Sequence, residues 1–188
     1  MYQVLAITGY KPHELGIFNE KHAHLSFLKY ALKKKMQQLI EEYDIEWIMT
    51  SGQAGVELWA AEAAIELKET YDHLKIATIA PFQNQEERLG DATKELYFHV
   101  WNNSDYSDFV TKRTYDNPMQ LRLKNQFIVE KSHALLVLFD EYTEGTPTYY
   151  LTNAKKKAET NDYPIFFLTP DEIEDVTREL QDEDNSWN

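Results

Sequence analysis

Residues 50–64 read TSGQAGVELWAAEAA, and this stretch decides the fold. Ahead of it, Ile45–Met49 (IEWIM) is a short apolar run with the look of a buried strand. Behind its glycines, an alanine-rich segment carries Trp59, Ala60, Ala63 and Leu67 at helical spacing, which marks a core face. A strand, a glycine turn and a helix in that order form half of a β-α-β unit.

Working outward, the same alternation recurs. Strands are expected at 3–8, 45–50, 74–80, 134–139 and 164–168, with a short one at 108–111. Helices are expected at 20–43, 54–71, 85–101, 117–132, 147–160 and 170–181. In the first helix Leu25, Leu28, Leu32, Met36, Leu39 and Ile40 recur at steps of three and four. The run ALLVLF (134–139) is the most hydrophobic and is expected near the middle of the sheet. Alternation of this kind predicts an α/β fold, Rossmann-like, with three α/β/α layers around a mainly parallel central sheet. The strands at 3–8, 45–50, 74–80 and 134–139 are expected to be adjacent at its centre. One domain is expected over 1–181, followed by a frayed acidic tail at 182–188.

Composition narrows the function. With 188 residues, 43% of them hydrophobic, the chain suits a single domain with a core of its own. Its 19 basic and 32 acidic residues leave a formal charge of −13, which opposes binding to phosphate polymers, so nucleic acid is not an expected partner. The Lys33–Lys35 and Lys155–Lys157 runs lie inside expected helices and read as solvated faces. The absence of cysteine excludes disulfides, thiol catalysis and zinc–thiolate sites. His22 and His24 are two residues apart, a spacing that does not share a helix face, and no metal site is expected. No apolar run approaches the ~20 residues of a membrane span, and the start of the chain reads as a strand, so a cytoplasmic protein is expected.

Ligands of parallel sheets bind beyond the carboxyl ends of the strands. Here those ends are TGYK, TSGQAG, APFQ and FDEYTEGT. The Ser51-Gly52-Gln53-Ala54-Gly55 joint fits two roles, a tight structural turn or a cradle in which backbone N–H groups hold a phosphate. It is neither a P-loop nor a G-x-G-x-x-G fingerprint. Glu57 is in the first turn of its helix, where a carboxylate stabilises by ~0.3–1 kcal/mol, the plainer of its two readings. The other is a ligand contact. After the central strand, Asp140, Gly145 and Thr146 precede Pro147 at a second helix start, with Thr146 also a candidate N-cap. Two glycine-led helix starts on one edge point to a nucleotide-sized site.

Taken together, ITGYKPHELGIF, SGQAGVELWAAEAA, APFQNQEERL and LRLKNQFIVEKSHALLVLFDEYTEGT closely resemble the YpsA family of Gram-positive bacteria. The resemblance runs from the first strand to at least Ala154. That family belongs to the SLOG superfamily, with the LOG-type phosphoribohydrolases, the DNA-processing protein DprA and molybdenum-cofactor carrier proteins. The resemblance implies a Rossmann-like fold. It also implies a pocket for a nucleotide-derived ligand such as ADP-ribose or an NAD derivative, and a link to cell division and its proteins. By residue, Gly9, Tyr10, Lys11 and Glu14 match the first loop. Ser51, Gly52, Gln53, Ala54, Gly55 and Glu57 fall in the S-G-x-A-x-G-[VI]-[DE] motif, one residue shorter here. Lys124 and Asn125 match an Arg-Asn pair, and Asp140, Gly145 and Thr146 match the second glycine motif. Glu144 replaces the first glycine of that motif and is expected to point outward. The resemblance implies phosphate contacts from the glycines and Thr146, charge from Lys11 and Lys124, and ribose or base contacts from Asn125 and Glu57. Gly52, Gly55, Gly145 and Thr146 are expected to line one pocket, with Glu57 and Lys124 at its rim. Where LOG-type hydrolases carry a catalytic glutamate, this chain has Tyr149, which favours a binding or sensing role over hydrolysis. A nucleotide hydrolase and a carrier of a phosphorylated cofactor remain the alternatives.

Overall fold

In the computed structural model, which describes residues 2–186, six strands form one parallel sheet. They are β1 (Val4–Thr8), β2 (Trp47–Thr50), β3 (Lys75–Ala80), β4 (Tyr106–Phe109), β5 (Ala134–Leu138) and β6 (Ile165–Leu168). Their order across the sheet is β4-β3-β2-β1-β5-β6. The four strands expected at the centre are therefore adjacent there, and β5 is buried at every position.

Six α-helices flank the sheet: α1 (Ala23–Tyr43), α2 (Val56–Leu67), α3 (Asp91–Asn103), α4 (Met119–Lys131), α5 (Pro147–Ala158) and α6 (Pro170–Ser186). Period-two alternation along the strands sorts the core into two sides. Leu5, Ile7, Ile48, Ile76, Leu136 and Leu138 face α1, α2 and α6. Ala6, Met49, Ala77, Leu135 and Val137 face α4 and α5. Helix α3 packs on α2 through Tyr97 and Val100 against Leu58 and Ala61. The periodic face of α1 is buried as its spacing predicts, each large side chain contributing about 1.5–3 kcal/mol.

The element ends differ from the sequence reading for local reasons. Helix α2 starts at Val56, because the preceding loop has positive φ at Gly52 and Gly55. The segment before α3 holds a 3₁₀ turn at Gln85–Arg88, entered from Asn84 in the left-handed region, and α3 itself begins after Gly90. Strand β4 begins earlier than expected, where the Asp105 carboxylate accepts from Ile76 N–H at 2.8 Å. The acidic residues expected to fray continue α6 to Ser186, with residues 187 and 188 outside the described range.

Candidate functional site at the carboxyl edge of the sheet

Strand order reverses between β1 and β5, so the crevice beyond their carboxyl ends is where this fold places ligands. Three chain segments meet around it: the loop after β1, the glycine joint before α2 and the loop before α5. The β1 loop lies directly on the start of α2. Gly9 abuts the Val56 side chain, and a side chain at Gly55 would strike the Tyr10 carbonyl at 2.4 Å. That carbonyl accepts from Val56 N–H at 3.1 Å. The N–H groups of Gly52, Gln53, Ala54 and Gly55 find no acceptor among the described residues. Four free donors thus surround the positive end of α2.

Beneath this joint lies Glu57, which is fully buried. Its carboxylate accepts from Ser51 N–H at 2.8 Å, Ser51 Oγ at 2.8 Å and Thr8 Oγ1 at 3.1 Å. Glu57 is in the first turn of α2, but its surroundings are not those of a surface carboxylate. It is not a solvated first-turn charge, because it lies under the β1 and β2 ends. Nor is it at a pocket rim. It ties the joint to two strands.

Lys124 is also buried rather than at a rim, at 3% exposure on the inner side of α4. Its Nζ donates to the Tyr150 hydroxyl at 3.2 Å and lies 4.7 Å from that ring's centre. Burial pushes the Lys124 ammonium down to about 8; the Glu57 charge pulls it up and the Lys11 charge pushes it further down. Burial likewise raises the Tyr150 hydroxyl well above its ordinary range, the Glu57 charge adding to the shift and a Ser51 hydrogen bond opposing it. Glu57, Tyr150, Lys124 and Ser51 are therefore one buried polar cluster joining α2, α4, α5 and β2. Around it, Asn125 Oδ1, Thr50 Oγ1 and Gln53 Nε2 are buried without a partner among the described residues. Orphaned buried polar atoms are costly, and they concentrate where a ligand or ordered water completes the set.

The second glycine motif is different. The Glu14 carboxylate accepts from Thr146 N–H at 2.8 Å and from Thr146 Oγ1 at 2.6 Å. It also accepts from Lys11 N–H at 3.2 Å. A side chain at Gly145 would come within 1.8 Å of Glu14 Oε2. The start of α5 is thus already liganded by the chain's own carboxylate. Burial raises the Glu14 pKa, but the Thr146 and Lys11 hydrogen bonds outweigh it and leave the carboxyl below its ordinary value. Thr146, expected as an N-cap, makes no capping bond with its hydroxyl, which goes to Glu14 instead. Tyr10 closes the crevice from the same side. Its hydroxyl donates to the Asp140 carbonyl or, at 2.7 Å, to that of Thr143, and accepts from Asp140 N–H at 3.1 Å.

The two glycine motifs share one sheet edge, but Gly55 and the Gly145–Thr146 pair line different cavities. Gly145 and Thr146 line a cavity of about 740 Å³ with Lys11, His13 and Tyr149. Gly55 lines another of about 810 Å³, with Pro12, Ile17, Leu58 and Trp59. The β1 loop runs between them. Glu144 is exposed, as anticipated, and Tyr149 is 66% exposed. Gly52 is not a bare floor for a ligand. Its φ is +73°, and a side chain there would meet the Tyr97 ring at 2.7 Å. Sequence reasoning included Glu14 in the first loop but missed its role, because its partner is 132 residues away.

A family model described as the YspA SLOG family matches residues 5–173. The UPF0398 protein of Halalkalibacterium halodurans is 45% identical over 177 residues, spanning 94% of this chain and 93% of that protein. The UPF0398 protein YpsA of Bacillus subtilis is 47% identical over 171 residues, spanning 91% and 94%. Among solved structures, DNA processing protein A from Helicobacter pylori, described for its single-stranded DNA binding mode, matches with a TM-score of 0.54 at 14% identity. That match covers 87% of this chain, which spans 64% of the length of that one. Likeness at this level of identity is a likeness of fold.

Proposed function

The chain belongs to the YpsA family of SLOG proteins, and from that footing we propose that it binds a nucleotide or nucleotide-derived ligand, of the ADP-ribose or NAD type, at the carboxyl edge of its sheet. One observation carries the reading. Four backbone N–H groups, Gly52 to Gly55, stand free at the positive end of α2, next to a buried polar cluster that contains Lys124. Free amides, a helix start and a buried cation together suit a phosphate. The orphaned Asn125 Oδ1 and Gln53 Nε2 suit hydroxyl or base groups of the same ligand. The protein is a cytoplasmic sensor in this reading, with its regulatory role directed at cell division.

Hydrolysis fits less well. Glu57 already accepts three hydrogen bonds and is not free to activate water, and Tyr149 stands where related hydrolases carry a glutamate. Single-stranded DNA, which the Helicobacter pylori protein binds, also fits less well here. Lys33, Lys34 and Lys35 pair with Glu66, Glu179 and Glu172. Lys157 donates to the Val129, Glu130 and Ser132 carbonyls at the end of α4. These lysines are engaged, and the net charge is −13.

The test is incubation of the purified chain with AMP, NAD and ADP-ribose, followed by native mass spectrometry and chromatography of the small molecules. Retention of an intact compound is the expected result. Turnover to a free base would establish the hydrolase instead, and a copurified cofactor would establish the carrier. A gel shift of single-stranded DNA at submicromolar protein would overturn the exclusion of nucleic acid.

A further inference from the structure

We propose that Glu14 is a specificity-determining residue: its carboxylate already takes the donors at the start of α5, so a ligand's phosphate is accepted at the start of α2 and rejected at α5. The inference rests on the nucleotide-binding reading above and narrows its ligand class. A compound with one phosphate or one diphosphate group fits it, whereas a nucleoside bisphosphate with separated phosphates does not.

The two helix starts differ in a way that the sequence motif hides. At α2 the backbone donors are free, and Thr50 Oγ1 and Asn125 Oδ1 are buried nearby with no partner among the described residues. At α5 the Thr146 N–H and hydroxyl both go to Glu14, at 2.8 and 2.6 Å. Nor is Glu14 a loose side chain that happens to rest there. It lies in a 3₁₀ turn, Pro12–Leu15, whose Pro12 fixes the entry from Lys11 and whose first orphan donor, Lys11 N–H, Glu14 itself accepts. Tyr10, just before that turn, is anchored across the crevice to Asp140 and Thr143. Both ends of the contact are therefore fixed before any ligand arrives. The absence of a side chain at Gly145 leaves room for Glu14 Oε2, which would be 1.8 Å from a Cβ at that position. A phosphate approaching Thr146 meets an ionised carboxylate already using the donors it needs, and like charges at that range repel.

The experiment is amide NMR of the full chain titrated with inorganic phosphate, comparing the natural sequence with Glu14→Ala and Glu14→Gln. In the natural chain, phosphate is expected to move the Gly52–Gly55 amides and leave those of Gly145 and Thr146 in place. In Glu14→Ala, the Thr146 amide should move as well, half-saturating at least about tenfold below any phosphate concentration that moves it in the natural chain, the scale of one charge-assisted hydrogen bond. Glu14→Gln keeps the shape of the turn without the charge; it should give an intermediate response, and it carries the test if the alanine variant folds poorly. A Thr146 amide that responds equally in all three chains, or in none, overturns the proposal. Gly52–Gly55 amides that ignore both phosphate and AMP overturn the nucleotide-binding reading instead, while the Thr146 comparison still decides what Glu14 does.

Discussion

Replacing Gly52 by alanine tests how tightly the joint before α2 is built. The backbone there has φ of +73°, a region that costs an L-residue about 1–2 kcal/mol. The added methyl would lie 2.7 Å from Tyr97 Cε2 and 3.3 Å from Cδ2. Ordinary carbon contacts are ~3.5–4.0 Å, so the ring must retreat by roughly 1 Å. Tyr97 is only 3% exposed and stacks on Trp101 at 5.8 Å between ring centres, which leaves it little room to retreat. Overpacking of this kind costs about 1–3 kcal/mol. The sum is roughly 2–5 kcal/mol, or about 4–20 °C in Tm for a chain of this size. Differential scanning calorimetry reads it directly. A Tyr97→Ala background isolates the clash, because the double mutant should lose less than the two single losses added together. A Tm within about 1 °C of the natural chain would refute the strain argument, and strict additivity with Tyr97→Ala would refute the clash.

The remaining predictions concern the buried cluster. Glu57→Ala strands a buried Ser51 N–H and removes the counter-charge of Lys124; it should destabilise by about 3–5 kcal/mol in urea titration, and a loss under 1 kcal/mol would count against the cluster. Lys124 has its folded pKa lowered to about 8 from 10.5, so the unfolded chain binds more protons between these values. Its contribution to stability should therefore rise as pH climbs through that window, a slope absent from Lys124→Met. Affinity for a phosphate ligand should move the opposite way, falling as pH passes about 8 and the Lys124 charge is lost; a flat profile would place Lys124 outside the site.

How legible all this was depended on the range over which each feature is encoded. The layers came from local periodicity, which is why Leu25 through Ile40 and the run at 134–138 were recognisable as core. The switch-point edge followed from strand order. Glu57 was visible as a first-turn acid, but its burial depends on Thr8 and Ser51 lying on adjacent strand ends, which no spacing reveals. Lys124 could be placed on a helix without any sign that its side chain faced Tyr150. The resemblance to a known family pointed to two glycine loops, and the structure distinguishes them: the N–H groups of the joint before α2 are free, and the Thr146 N–H before α5 is held by Glu14.

Binding of a phosphate-bearing ligand at the start of α2 beside Lys124 is tested by isothermal titration calorimetry of AMP and ADP-ribose into the natural chain and Lys124→Met at pH 7. Saturable one-to-one binding of at least one of them is expected, about tenfold or more weaker in the variant, the scale of a lost buried charge contact. Absence of binding by either compound, or equal affinity in the two chains, would contradict it.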